Sequence, residues 1–271
     1  PLYSSAASDV YKRQFLTEAR IEGGLAFWER HEALLARAER EFGIPAQIIV
    51  AIIGIETRYG RYHGKFPVLE ALATLAFDYP KRSAFFRSEL EQYLLLTREE
   101  GIDPMTLNGS YAGAMGGPQF ISSSYRRYAV DFDGDGRRDL WESDADIIGS
   151  VANYFAVHGW RNGEGIAVPA SVPTERADAL PEMGLKPQYS VARLRGLGVV
   201  PEGEVTDDTL ATLIELELTD GSEYWLGLHN FYVITRYNHS ALYAMAAYQL
   251  SREIAARRAD GTTRSAAVTK G

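Results

Sequence analysis

The chain has no cysteine among its 271 residues, which excludes a disulfide framework and thiol catalysis while leaving the redox compartment open. Positive charge is also in short supply: 28 Lys and Arg stand against 36 Asp and Glu, for a net charge of −8. Gripping phosphates needs clustered cations that this balance does not supply, so a general nucleic-acid binder is excluded and only local basic spots remain. No apolar run approaches the roughly 20 residues of a membrane-spanning helix. The stretch Ile48 to Ile55 is short and closed off by Gln47 and Glu56. Internal repeats and long low-complexity tracts are absent. Residues Pro1 to Asp9 are rich in Ser and Ala and lack the basic start and apolar centre of a signal peptide. They read as an artificial start or scar that replaces the natural one, and an export signal could have been lost there.

What is present is enough apolar side chain, 46% of the composition, to bury a sizeable core in one large domain or two to three small ones. Helical spacing of apolar residues predicts one or two amphipathic helices over Phe15 to Phe42. A further helix opens at Pro45 and stops at Gly60, and others cover Val68 to Phe77, Arg82 to Glu100, Ile147 to His158 and Ser240 to Arg257. In the Arg82 to Glu100 helix the stripe is Phe85, Phe86, Leu90, Leu94 and Leu95. After Trp160 the apolar runs shorten and Pro, Val and Gly recur. Strands are predicted at Ile166 to Val172, Leu213 to Leu218 and Tyr224 to Leu228, as part of a small β-containing insert. The fold class expected is therefore α+β, mainly α. The tail from Asp260 is polar and expected to fray.

Two segments carry chemistry. Asp131-Phe-Asp133-Gly-Asp135-Gly136-Arg137-Arg-Asp139-Leu-Trp-Glu142 matches the EF-hand calcium loop at each defining position. Asp131, Asp133 and Asp135 offer side-chain oxygens, Gly136 makes the sharp turn, Arg137 gives its backbone carbonyl, and Glu142 can close the shell. Acids this close repel one another unless a cation lies between them. Arg138 stands where paired loops carry an apolar residue, and no second copy exists, so a single structural site is expected rather than a sensor. Asp144 and Asp146 are alternative ligands if the loop runs longer.

The second segment is Ile48-Ile-Val-Ala-Ile-Ile-Gly-Ile-Glu56-Thr-Arg-Tyr-Gly60. On a helix, Ile49, Ile52 and Ile53 share the face of Glu56, so its carboxyl group projects from an apolar wall. Such a group should keep its proton to higher pH than a solvated one, as a general acid for a glycosidic oxygen requires. The plain alternative is a helix-terminal acid paired with Arg58 or Arg61. Glycosidases of the usual design need a second carboxylate across the sugar, and the sequence offers none in a comparable apolar setting.

Together the segments Ile52-Ile-Gly-Ile-Glu56-Thr-Arg-Tyr-Gly60, Gly109-Ser-Tyr-Ala-Gly-Ala-Met115, Ser150-Val-Ala-Asn-Tyr154 and Ile234-Thr-Arg-Tyr-Asn-His239, in that order, resemble the membrane-bound lytic murein transglycosylase B family. The resemblance extends from about Gln14 to Leu250. It implies a lysozyme-like catalytic core over residues 46–160 containing the calcium loop 131–142. It further implies an N-terminal helical flank over 1–45 with a disordered or artificial start at 1–9, a β-containing insert over 161–228, a return to core and flank over 229–258, and a disordered tail over 259–271.

The family's reaction implies that Glu56 protonates the oxygen between N-acetylmuramic acid and N-acetylglucosamine and then acts as base on the muramoyl 6-hydroxyl. The product is a 1,6-anhydro end, and no second acid is needed because the nucleophile belongs to the substrate. By the same resemblance Ser110 and Gln119 lie beside the acid, and Tyr154, Tyr237 and Asn238 line the glycan groove. Phe120 offers a ring to a sugar face, and Arg82 suits a muramic carboxylate or peptide stem. At Gly117 the family pattern leads one to expect a larger polar residue, and the last calcium ligand stays open between Glu142 and Asp146. The scattered His63, His158 and His239 are expected to be structural. The partner implied is peptidoglycan and the cofactor a structural Ca2+, with no organic cofactor. A periplasmic monomer is expected, with a lipid anchor to the outer membrane or a cell-wall synthesis complex outside this chain. Two rivals remain: a muramidase that cleaves the same bond with water, and a non-catalytic, calcium-stabilised glycan-binding protein.

Overall fold

The computed structural model describes residues 14–177, 180–219 and 221–268, so the expected artificial start at 1–9 lies outside the described residues. The chain divides into two compact units, one over Glu22–Val157 and one that joins Pro1–Ile21 to His158–Gly271.

The first unit is helical. The predicted Phe15 to Phe42 segment is two helices, α1 (Glu18–Arg30) and α2 (Glu32–Phe42), broken at His31. Gly43 closes α2 in the left-handed conformation that glycine tolerates, φ 73°, with its N–H on the Glu39 carbonyl. Helix α3 (Ala46–Thr57) follows Pro45, and nine of its twelve residues are buried, including every residue from Ile48 to Ile53. A helix apolar on all sides has no solvent face and becomes the centre of its unit.

Helix α3 does not run to the predicted stop at Gly60. It ends at Thr57, because Arg58 (φ 50°) and Tyr59 (φ 62°) both take the left-handed conformation. The physical reason is the Tyr59 ring, which fills the space left by two glycines. A β-carbon at Gly54 would lie 2.5 Å from the Tyr59 hydroxyl oxygen, and one at Gly23 would lie 2.8 Å from the ring. The reversal at Arg58 brings that ring back onto the helix it follows.

Helix α4 (Val68–Asp78) packs against α5 (Ser83–Glu100). The buried face of α5 is Phe86, Glu89, Tyr93, Leu96 and Thr97, whereas Phe85 and Leu94 of the predicted stripe are 37% and 48% exposed. Phe86 of that stripe is buried and Leu90 and Leu95 are half-buried, so periodicity in Leu and Phe alone finds only part of the buried face, which also contains Thr97 and Glu89, the latter accepting the Ser123 N–H at 2.9 Å. The Gly-rich passage holds a two-residue antiparallel ladder between β1 (Phe66–Pro67) and β2 (Asn108–Gly109), and the short helix α6 (Ser122–Tyr128). Helix α7 (Asp144–Val157) starts three residues before the predicted Ile147. The Ser143 hydroxyl accepts the Asp146 N–H at 3.2 Å, an N-cap that satisfies one of the first-turn donors.

The second unit holds an antiparallel five-stranded sheet in the order β4-β6-β7-β3-β5. Its strands are β3 (Ala167–Ser171), β4 (Tyr189–Ser190), β5 (Val200–Pro201), β6 (Leu210–Leu218) and β7 (Gly221–Gly227). All three predicted strands are present, with β6 and β7 each starting three residues early and pairing as a hairpin from Leu218↔Gly221 to Thr212↔Gly227. Short helices α8 (Thr174–Ala177) and α9 (Val191–Gly196) flank the sheet, and Ala170, Val191, Leu194, Val199, Ala211 and Leu226 form its core. Helix α10 (His229–Tyr237) leads into α11 (Ala241–Val268). The latter continues past the predicted end at Arg257, through most of the expected tail. Its Ala and Arg residues favour the helix, and Gly261 costs only about 1 kcal/mol against it. Residues 269–271 lie outside the described residues. Arg257 pairs with Glu18 of the same unit at 2.5 Å. No described helix is long and apolar enough to cross a membrane.

Candidate active site and cation loop

Glu56 occupies the last turn of α3 and is half-buried. Ile49, Ile52 and Ile53, one and two turns before it, are at most 1% exposed, so the carboxyl group leaves the helix at the border of a dry interior. Its neighbour Thr57 is fully buried. The Thr57 hydroxyl lies 3.2 Å from the Ile53 carbonyl and 3.3 Å from the Gly117 carbonyl, and accepts the Gly60 N–H at 3.0 Å. One side chain thus joins the end of the helix, the turn after it and the Gly-rich loop. Sequence reading passed over Thr57, since a threonine near a helix end gives no signal of its own.

The loop is set by backbone contacts. Ser110 Oγ accepts the N–H groups of Ala112 at 3.2 Å and Ala114 at 3.0 Å, and Met115 and Phe120 exchange two backbone bonds. Gln119 adopts a left-handed φ of 53°, uncommon for a residue with a β-carbon. Its amide nitrogen donates to the Gly116 carbonyl at 2.9 Å and the His63 carbonyl at 3.3 Å, which fastens the loop to the segment after α3. Gly117 has a packing reason for being small: a β-carbon there would lie 2.6 Å from Ile147 Cδ1 of α7. The larger residue expected at this position would have to displace that side chain.

Other expected site residues are distributed as follows. Phe120 and Tyr154 are only 3% and 7% exposed. Their rings lie 5.6 Å apart, and Tyr128 is 4.8 Å from Tyr154. Phe120 therefore belongs to a buried aromatic cluster rather than offering an open face for a sugar, which departs from the expected stacking role. Arg82 is exposed, with its guanidinium 4.4 Å from the Phe85 ring centre and 5.3 Å from that of Phe86. Tyr237 and Asn238 lie in the other unit, at the end of α10. There Tyr237 stacks on Tyr243 at 6.4 Å with the ring planes 6° apart, and Asn238 is exposed.

In the cation loop, one carboxylate oxygen each from Asp131, Asp133 and Asp146 lies within 4.8 Å of the others. The N–H of Gly136, then those of Gly134 and Asp135, hold the Asp131 carboxyl below the usual range. Asp146 is 1% exposed and accepts the Phe132 and Asp139 N–H groups, both at 2.7 Å. Burial raises its pKa in spite of those donors, and the charge of Asp133 adds to the rise. Ser143 donates to Asp133 Oδ2 at 2.7 Å. Asp135 is exposed and accepts the Arg137 N–H at 2.8 Å. Glu142 is exposed and lies outside this trio, beside Glu100, Arg138 and Trp141 around a cavity of about 280 Å³. Three carboxylates converging beside turn glycines fit a hard, oxygen-seeking cation.

A family model described as the transglycosylase SLT domain matches residues 3–252. The chain belongs to that lytic transglycosylase family. It is 48% identical over 248 residues to the membrane-bound lytic murein transglycosylase B of Escherichia coli, covering 92% of this chain and 67% of the relative. The solved soluble lytic transglycosylase SltB1 of Pseudomonas aeruginosa is 52% identical, with a TM-score of 0.87 over 92% of this chain and 83% of its own. The Escherichia coli lytic transglycosylase Slt35, solved in complex with calcium, is 47% identical, with a TM-score of 0.88 over 94% of this chain and 80% of its own. The fold expected from sequence, a mainly helical chain of the lytic transglycosylase kind, is the fold these comparisons give.

Proposed function

We propose that this lytic transglycosylase cleaves the β-1,4 bond between N-acetylmuramic acid and N-acetylglucosamine in peptidoglycan, with Glu56 as the one acid–base group. The observation that carries the reading is the setting of Glu56, half-buried at the end of a helix with no solvent face and tied through Thr57 to the Gly-rich loop. An apolar surround favours the protonated acid before cleavage. Once the proton has passed to the leaving oxygen, the carboxylate can accept the proton of the muramoyl 6-hydroxyl as that oxygen attacks the anomeric carbon. The nucleophile is tethered to the substrate, so its effective concentration is high and no water has to be positioned. Ser110 and Gln119 hold the loop beside the acid, and Arg82 offers a cation to a carboxylate; Tyr237 and Asn238, in the other unit, carry groups able to hydrogen-bond a glycan. Tyr154 and Phe120 support the wall from behind.

Calcium at Asp131, Asp133 and Asp146, with further oxygen from Asp135 and the Arg137 carbonyl, would fix the loop between α6 and α7. Asp146 takes the closing position in preference to Glu142, because only Asp146 joins the converging carboxylates. A chain that acts on peptidoglycan would work in the periplasm. The decisive experiment is chemical analysis of digested peptidoglycan: 1,6-anhydro ends are expected, whereas reducing ends would make the chain a hydrolase, and no cleavage at all would overturn the catalytic reading.

A further inference from the structure

Within the second unit a basin of about 810 Å³ opens between the Arg161–Glu164 turn and the segments around Lys186 and Leu210. Its floor is apolar, with Val168, Val205 and Leu228 half-buried and Leu210 53% exposed. The wall is rigid. Asn230, fully buried, accepts the Arg161 N–H at 2.9 Å and donates to the carbonyls of Arg161 at 2.8 Å and Glu164 at 3.0 Å. On the rim stand two opposite charges, Lys186 and Glu204, that make no ion pair or side-chain hydrogen bond among the described residues.

We propose that this basin binds the peptide stem of a peptidoglycan strand, an inference that rests on the function proposed above. A neutral glycan would be recognised by amides, hydroxyls and exposed flat rings, and apart from the half-buried Tyr232 phenol the unengaged side-chain groups lining the basin are charges. A purely anionic ligand would meet Glu204 and Asp208 on the same rim and be repelled. A short peptide that carries carboxylates, an ammonium group and methyl side chains matches both charges and the floor. Lys186 takes a carboxylate, Glu204 takes the ammonium group, and the methyl groups lie on Val205 and Leu210.

The test is calorimetric titration of the full chain with the free stem tetrapeptide, L-alanyl-γ-D-glutamyl-meso-diaminopimelyl-D-alanine, for the wild type and for Lys186→Glu and Glu204→Lys. Both positions are exposed, so the variants should melt as the wild type does. Each charge reversal should weaken binding by about ten-fold, and cleavage of glycan strands stripped of their peptides should be unchanged. No saturable binding by the wild type, or equal binding by all three proteins, overturns the assignment. A chain that cleaves stripped glycan without binding the tetrapeptide sinks this inference alone. One that binds the tetrapeptide but cleaves no glycan leaves the basin assigned and overturns the catalytic reading.

Discussion

In the proposed mechanism Glu56 is both acid and base, and a single substitution separates that chemistry from its structural part. Glu56→Gln keeps size and hydrogen-bonding capacity while removing the transferable proton, so glycan cleavage should fall by at least about a thousand-fold, as loss of a general acid and base requires. The melting temperature should stay near that of the wild type, and retained turnover would remove Glu56 from the mechanism. Its position could be read from sequence because a lone carboxylate after an apolar helix is conspicuous. The role of Thr57 could not, because it depends on a carbonyl 60 residues away in sequence. Phe120 shows the opposite error: aromatic identity suggests a sugar platform, but only packing reveals that Tyr154 and Tyr128 already occupy its surroundings.

At the level of elements, the long helices and the three main strands were legible because periodic burial repeats over several turns or pairs. Helix α6 and the ladder β1–β2 were not, since seven residues and two residues respectively give too little pattern to distinguish from a loop. Contact between the Gly-rich loop and α7 leads to a stability prediction. Gly117→Ala places a β-carbon 2.6 Å from Ile147 and should cost about 1 to 3 kcal/mol by overpacking, read as a lower urea midpoint. Helix α5 carries a pH effect. Burial, aided by the charge of Asp103, pushes the Tyr93 phenol from 10.0 up to about 12, and its hydroxyl donates to the Pro104 carbonyl at 2.8 Å. The folded chain therefore keeps this proton after the unfolded chain has released it. Stability from this group is intact below pH 10.0 and declines as pH rises toward about 12. Urea titrations across that window should show the decline, and Tyr93→Phe should flatten it while lowering neutral stability by about 1 kcal/mol.

For the whole molecule, the proposed calcium ion would be the largest external lever. A cation that binds the folded chain and not the unfolded one should add about 2.7 kcal/mol at a hundred times its dissociation constant. Calorimetric melting should thus shift upward with calcium and downward with chelator, and Asp133→Ala should abolish the difference. An identical melt in both conditions would leave the loop without a cation. The composition bears on this scale too: a chain with net charge −8 gathers acids at one loop, and a divalent ion there relieves part of the repulsion.

The Asp146 carboxylate stitches Phe132 near the start of the loop to Asp139 near its end. Amide protons at Phe132 and Asp139 should consequently resist solvent exchange even in chelator. The ion then enters a seat already shaped, so its capture and release should proceed without refolding of the surrounding helices. Metal exchange at the proposed site would then be a local, rapid event, and starvation for calcium should soften this enzyme without dismantling it.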